Sequence, residues 1–273
     1  MHVSRLIRYP IDLISVALVV FTLTLQVSAL VLHWPWYVAI VVLLLLREVG
    51  LVEHNHVHLA IFRSRFLNAL LGWMCHLSDG VPLETYRIHH VASHHRYNNR
   101  FDANGRDWSS IYGFQGTRLP ERPVNKAYYV AAFPWLAHGE SLIWYLRAPR
   151  SRPTRGFITS MLIVGPASAL LAWLNPVGFI TFFLVPWTIA IFGMGFNNYE
   201  QHYACKMTNE YDSSNNFINF FQTVLSFNAG YHVAHHHSPQ LHWSLLRRQH
   251  ELLYPSRMDE EAQPHPAVSS SGG

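Results

Sequence analysis

The chain has 273 residues, half of them hydrophobic and 13% charged, with a formal net charge of +4. Soluble globular domains carry about 25% charged residues, so this composition argues against an ordinary soluble protein and for a membrane protein. The only two cysteines, Cys75 and Cys205, form no C-x-x-C pair, which sets aside a disulfide framework and a cysteine zinc site.

Arg5 and Arg8 precede the first apolar run, Ile11 to His33. No small-residue cleavage site ends that run, so it reads as a retained span rather than a removed leader. A second run starts near Trp36, passes through VAIVVLLLL and continues as helix to His58. A third covers Gly156 to Leu174, and a fourth extends from Val177 to about Tyr203. Each is long enough to cross a bilayer, which takes about 20 apolar residues. The turns HWPW and NPVG join the four transmembrane helices into two hairpins, and neither turn holds a Lys or Arg. All thirteen cationic residues between His58 and Gly156 lie in the central connection. The positive-inside rule then places both termini and that connection in the cytoplasm, with Trp34, Trp36 and Tyr37 in the opposite aromatic belt.

The central connection carries its own helices. Arg65 to Leu77 is amphipathic and suited to the interface. Pro82 to Tyr97 reads as helix with proline in its first turn. Tyr128 to Arg147 is aromatic and also interfacial. The expected fold is an all-α integral membrane domain over residues 1–257, with a cytoplasmic helical cap bearing the histidine clusters. Residues 258–273 have no core-forming run and read as a disordered tail.

Nineteen histidines occur in the chain, and ten fall into four short groups: His54, His56 and His58; His90, His94 and His95; His202; and His232, His235 and His236. Neutral imidazole is the commonest protein ligand for transition metals. His54 and His58 are one helical turn apart on one face. His90 and His94 repeat that spacing, and His95 is rotated by about 100°, toward a second metal. His232, His235 and His236 stand at i, i+3 and i+4. Asn198 precedes His202 by one turn; its amide is a weak ligand, suited to act through a bound water. His56 points away from its neighbours, His89 takes an outer or exposed role, and His237 falls on another face. All four clusters lie on the cytoplasmic side of the expected topology, where they can converge. Ten imidazoles exceed the needs of one structural zinc. By ligand softness alone iron, copper and zinc all fit.

These residues resemble the membrane fatty acid desaturase and hydroxylase superfamily, marked by the histidine boxes H-x(3,4)-H, H-x(2,3)-H-H and H-x(2)-H-H. The chain supplies HNHVH at 54–58, HVASHH at 90–95 and HVAHH at 232–236. Asn198 and His202 match the additional asparagine and histidine of the desaturase fourth transmembrane helix. The stretch NAGYHVAHHHSPQLHW resembles the third-box region of bacterial acyl desaturases, and the likeness runs from about Pro35 to His250.

The resemblance implies two iron ions cycling between Fe2+ and Fe3+, with dioxygen as co-substrate and two electrons from an outside donor. The ligands it implies are His54, His58, His90, His94, His95, His202, His232, His235 and His236, with Asn198 as a tenth. Candidate acceptors for their second ring nitrogens are Glu53, Asp102, Asp107, Glu200 and Asp212. The expected reaction is desaturation of a fatty acyl chain carried by a lipid, coenzyme A or acyl-carrier protein. A hydroxylase of alkane, fatty acid or carotenoid on the same scaffold is the first alternative, since these spacings also suit alkane hydroxylases. A non-enzymatic metal-binding or transport protein is the second, although a transporter places its polar sites near mid-membrane. No His-Pro-Gly-Gly motif is present, so the donor is expected to be a separate ferredoxin or cytochrome b5-like protein with its reductase. The basic face suits an acidic donor or anionic membrane lipids. No nucleic acid is expected, and the expected location is a bacterial inner membrane.

Overall fold

The computed structural model describes residues 6–102, 105–112, 123–205 and 212–254, with backbone only at 101 and 102. The tail expected at 258–273 lies outside the described residues. Helix dominates. The departures from all-α among the described residues are a two-stranded antiparallel ribbon, β1 (Phe101–Asp102) and β2 (Gly105–Arg106), and an isolated antiparallel bridge between Ile7 and Phe62.

Three long helices are apolar enough to cross a membrane: Pro10–Val31, whose main part is α1 (Leu13–Val31), then α8 (Arg152–Leu174), then Pro176–His202, formed by α9 (Pro176–Phe179), a π-helical turn and α10 (Val185–His202). The second expected span, α2 (Val38–His58), is 21 residues long but carries Arg47, Glu48 and Glu53. Length and composition therefore mark three spans among the described residues, where the sequence pattern suggested four. Two of the charges on α2 are locally answered. Arg47 pairs with Glu48 and donates to Ser226 Oγ at 2.7 Å and Gln222 Oε1 at 2.9 Å. Large apolar side chains such as Phe21, Leu44, Leu162 and Trp173 stay exposed on the outer faces of these helices.

The helix ends are written in the sequence. Ser64 caps α3 (Arg65–Asp79) by accepting from Leu67 N, and Gly80 ends it in the left-handed conformation, φ 80°. Asn125 caps α6 (Lys126–Pro134) by accepting from two amides, and Ser151 caps α8. α1 packs on α2 and α3, α3 on α8, and α10 on both α2 and α6. A buried donor inside these helices finds an acceptor across them, as an apolar medium favours. Gln26 in α1 donates to Ser78 O at 2.9 Å and to Phe182 O at 3.0 Å. Phe182 sits in the π-helical turn Ile180–Leu184, where the altered winding makes a carbonyl available.

Two short helices complete the site. The run α4 (Leu83–Tyr86), a π-helical stretch (Arg87–His94) and α5 (His95–Tyr97) is continuous. α11 (His232–His237) is held by Val233 N donating to Asn216 Oδ1 at 3.0 Å. Beyond it, His242 and Trp243 bind the buried Asp12 carboxylate at 3.1 and 2.9 Å, fastening this segment to the start of α1. The last described helix is α12 (Leu246–Leu253), with α7 (Glu140–Arg147) lying earlier in the chain.

Candidate metal centre

α2 and α10 run in the same direction, and their C-terminal ends meet the second and third boxes. His54 and His58 lie with ring centroids 5.1 Å apart, and His54 approaches His90 at 4.6 Å and His235 at 4.5 Å. His95 Nε2 stands 3.1 Å from His90 Nε2 and 3.0 Å from His235 Nε2. His54, His58, His90, His95 and His235 each offer a ring nitrogen, all within 4.8 Å of one another. His94, His202 and His236 form a second group within the same limit. His232 Nε2 is 3.1 Å from His236 Nε2, which places it at the edge of that second group. The groups adjoin, with the His95 ring stacked 4.5 Å from that of His236.

The second box is divided differently from the helical expectation. His90 was paired with His94 by an i, i+4 argument; instead His90 and His95 share one group and His94 belongs to the other. The cause is the winding of Arg87–His94, where the His95 amide donates to the His90 carbonyl, five residues back. In a π turn residues five apart share a face. Six consecutive residues thereby feed both groups. The third box divides likewise, His235 to the first group and His236 to the second.

The chemistry of these nitrogens fits metal ions. His202 Nδ1 lies 2.8 Å from Ser213 O, which only accepts, so the proton of that ring is on Nδ1. His94 Nδ1 donates to Asp107 Oδ2 at 2.9 Å. Burial works to raise the Asp107 carboxyl, but the His94 ring, with amide and hydroxyl donors from Asn99 and Ser109, brings it below the usual carboxylate range. With the proton on Nδ1, the neutral tautomer of each ring leaves Nε2 free to bind a metal, and the two Nε2 atoms face each other at 3.1 Å. Imidazole nitrogens sharing one ion at about 2.1 Å stand about 3 Å apart when their angle is near 90°. Burial, then the charge of neighbouring rings, holds His90, His95, His232, His235 and His236 well below the usual histidine range. They are neutral, the form that binds metal. His58 Nε2 is buried with no hydrogen-bond partner.

Of the five candidate acceptors, Asp107 holds a histidine. Glu53 is fully buried, yet its oxygens take no hydrogen bond from a ring. Glu200 pairs with Lys126 instead. The Asp102 side chain lies outside what is described, and the Asp212 charge acts on the Cys205 thiol. Ser213 O, the acceptor for His202, carries no sequence signal, being a backbone atom. Asn198 Nδ2 donates to Ser109 O at 3.1 Å and Tyr129 Oη at 2.6 Å. His56 is structural: its Nδ1 accepts from Ile61 N at 3.2 Å. His89 is buried, not exposed, with its ring edge-on to Phe133 at 5.5 Å, and burial pulls it down to about 3.

A cavity of about 630 Å³ opens beside both groups, lined by His54, His90, His94, His232 and His235 and also by His89. Its remaining wall is largely aliphatic and aromatic, drawn from α2 and α10, with Phe133 from α6.

Fold and site together define a helical membrane protein with two adjoining histidine groups able to hold metal ions. A family model described as fatty acid desaturase matches residues 28–266, and the chain belongs to that oxidoreductase family. No curated protein and no solved structure matches it.

Proposed function

We propose that the protein is an oxygen-dependent fatty acyl desaturase. The observation that carries this reading is the mainly apolar cavity of about 630 Å³ lined by His54, His90, His94, His232 and His235 of the two groups. Its aliphatic and aromatic walls suit a hydrocarbon chain, and its polar lining residues, Arg47, Glu200, Gln201 and Gln222 among them, suit a polar head group. His54, His58, His90, His95 and His235 would hold one iron, and His94, His202, His236 and His232 the other. Asn198 lines the same cavity and acts through a water. Bound iron would supply oxygen activation with electrons from a separate donor. The protein's own residues place an acyl chain against the histidines, keep bulk water out with apolar walls, and fix the ring tautomers through Asp107 and Ser213.

In this reading α2 is the fourth span, its Arg47–Glu48 pair capped by Gln222 and Ser226. The spans then form two hairpins, one domain covers residues 1–257, and the metal groups face the cytoplasm with both termini. The acyl head group lies at that surface, where a ferredoxin or cytochrome b5-like donor also docks.

The test is anaerobic iron loading in membranes or detergent, then air, a reduced donor and a saturated acyl substrate. Loss of two hydrogens from the substrate supports desaturation. Gain of one oxygen would make the protein a hydroxylase. About two irons per chain with neither product would overturn the enzymatic reading.

A further inference from the structure

α2 and α10 each keep a glycine in mid-helix on the cavity wall, Gly50 and Gly193. Glycine weakens a helix relative to alanine, so its presence there has to be explained by something else. Elsewhere in this protein packing explains it. A Cβ on Gly72 would lie 2.6 Å from Leu83, and one on Gly195 would lie 2.7 Å from Phe133. At Gly50 and Gly193 a Cβ would meet no atom within 4 Å. The protein does not fill this space itself; the space belongs to the cavity.

The spacing puts both glycines in line with the metal groups. Leu46, Gly50 and His54 follow one another at four-residue intervals on one face of α2, and all three bound the cavity. Gly50 is therefore one turn, about 6 Å, before His54. On α10, Ala190, Gly193, Asn197 and Gln201 follow at intervals of three and four and also bound it.

We propose that Gly50 and Gly193 set the bore of this cavity and thereby the length of acyl chain the protein accepts. The inference rests on the acyl-chain reading above. A leucine at position 50 would project into the cavity one turn short of His54, and chain lying beyond that point would lose its place. Long chains are excluded first, and short ones continue to fit.

The experiment compares wild type with Gly50→Ala, Gly50→Leu, Gly193→Leu and the control Gly165→Leu. Gly165 sits in α8, away from the cavity, and a Cβ there also meets nothing within 4 Å. Each protein receives equal amounts of decanoyl, myristoyl and stearoyl substrates, with products read by mass and iron counted per chain. Binding of stearate and decanoate to the metal-free proteins is measured separately. The leucine variants are expected to lower the stearoyl-to-decanoyl ratio about tenfold, the scale on which apolar pockets discriminate. Gly50→Ala falls between, and Gly165→Leu matches wild type at unchanged iron content. Leucine variants that keep the wild-type ratio in both turnover and binding overturn the proposal, as does an equal shift in Gly165→Leu. Should no protein oxidise any substrate, the desaturase reading fails, while selective loss of stearate binding in the leucine variants still supports the bore.

Discussion

His94 and His202 point Nε2 at Nε2 across 3.1 Å, while each holds its proton on the far side of the ring. In the neutral rings two lone pairs at that distance would repel, and a cation between them converts the repulsion into attraction. A shared proton would also do so. The nitrogen of His236 stands in the same group, however, and three convergent nitrogens suit a metal ion better than a proton.

Asp107 is what fixes the His94 half of that pair. It is fully buried and also accepts from Asn99 N at 2.7 Å and Ser109 N at 2.9 Å. Asp107→Asn keeps an acceptor near His94 Nδ1 but loses the charge and allows the amide to turn the wrong way. Loss of such an outer partner lowers metal affinity by about 10–100-fold. Competition with a graded chelator measures this directly; wild-type retention in Asp107→Asn would show that the ring is held by other contacts.

The division into two groups predicts that metal loss is local. His95→Ala removes the nitrogen closest to both His90 and His235, and His202→Ala removes the partner of His94. Each is expected to bring iron from about two per chain to about one, since every group retains few nitrogens to spare. The double variant is expected to hold almost none. A single substitution that empties both sites would mean the ions depend on each other.

Much of this centre was legible in the chain. The boxes, their convergence and the ends of α2 and α10 follow from spacing and from helix direction. Three features were not. The pairing of His90 with His95 depends on π winding, and RIHHVASHH reads equally well as ordinary helix, so an angular argument at 100° per residue assigned His94 wrongly. Five acidic residues were plausible partners for the rings, and only the fold selected Asp107, because Asp107 follows the β1–β2 ribbon that turns the chain back onto His94. α2 was read as a span from its apolar first half, although Arg47 and Glu48 are accommodated only through Gln222 and Ser226, about 175 residues away in sequence.

Acid is expected to destabilise the metal-free protein. Burial and neighbouring rings hold His90, His95, His232, His235 and His236 well below the ordinary value of about 6.5. Below that pH the unfolded chain takes up protons that the folded chain refuses. The contribution to stability is therefore complete above about pH 6.5 and is lost as the pH falls. Bound metal excludes the same protons, so loading should raise Tm and acid should release the metal. Melting curves of both forms in one detergent between about pH 8 and pH 5 check the sign. A metal-free Tm that is flat or rises on acidification would contradict the neutral, buried state of these rings.

Asn198 offers the sharpest contrast with the histidines. Its amide nitrogen is taken by Tyr129 Oη at 2.6 Å and Ser109 O at 3.1 Å, and Tyr129 Oη itself donates to Ser109 O at 2.7 Å. Tyr129 and Ser109 are buried and Asn198 partly so, and this small network holds the amide by its nitrogen, leaving the oxygen as the end able to meet a water. Tyr129→Phe removes the hydroxyl and should cost about 1–3 kcal/mol, because buried polar groups lose a partner. Asn198→Ala should leave iron content near wild type while lowering product formed per oxygen consumed, since it loosens the cavity wall and not a metal bond. Iron counting on Asn198→Ala beside His202→Ala decides between the roles: an equal fall in both would make Asn198 a direct ligand, and a fall in His202→Ala alone would leave it the holder of a water.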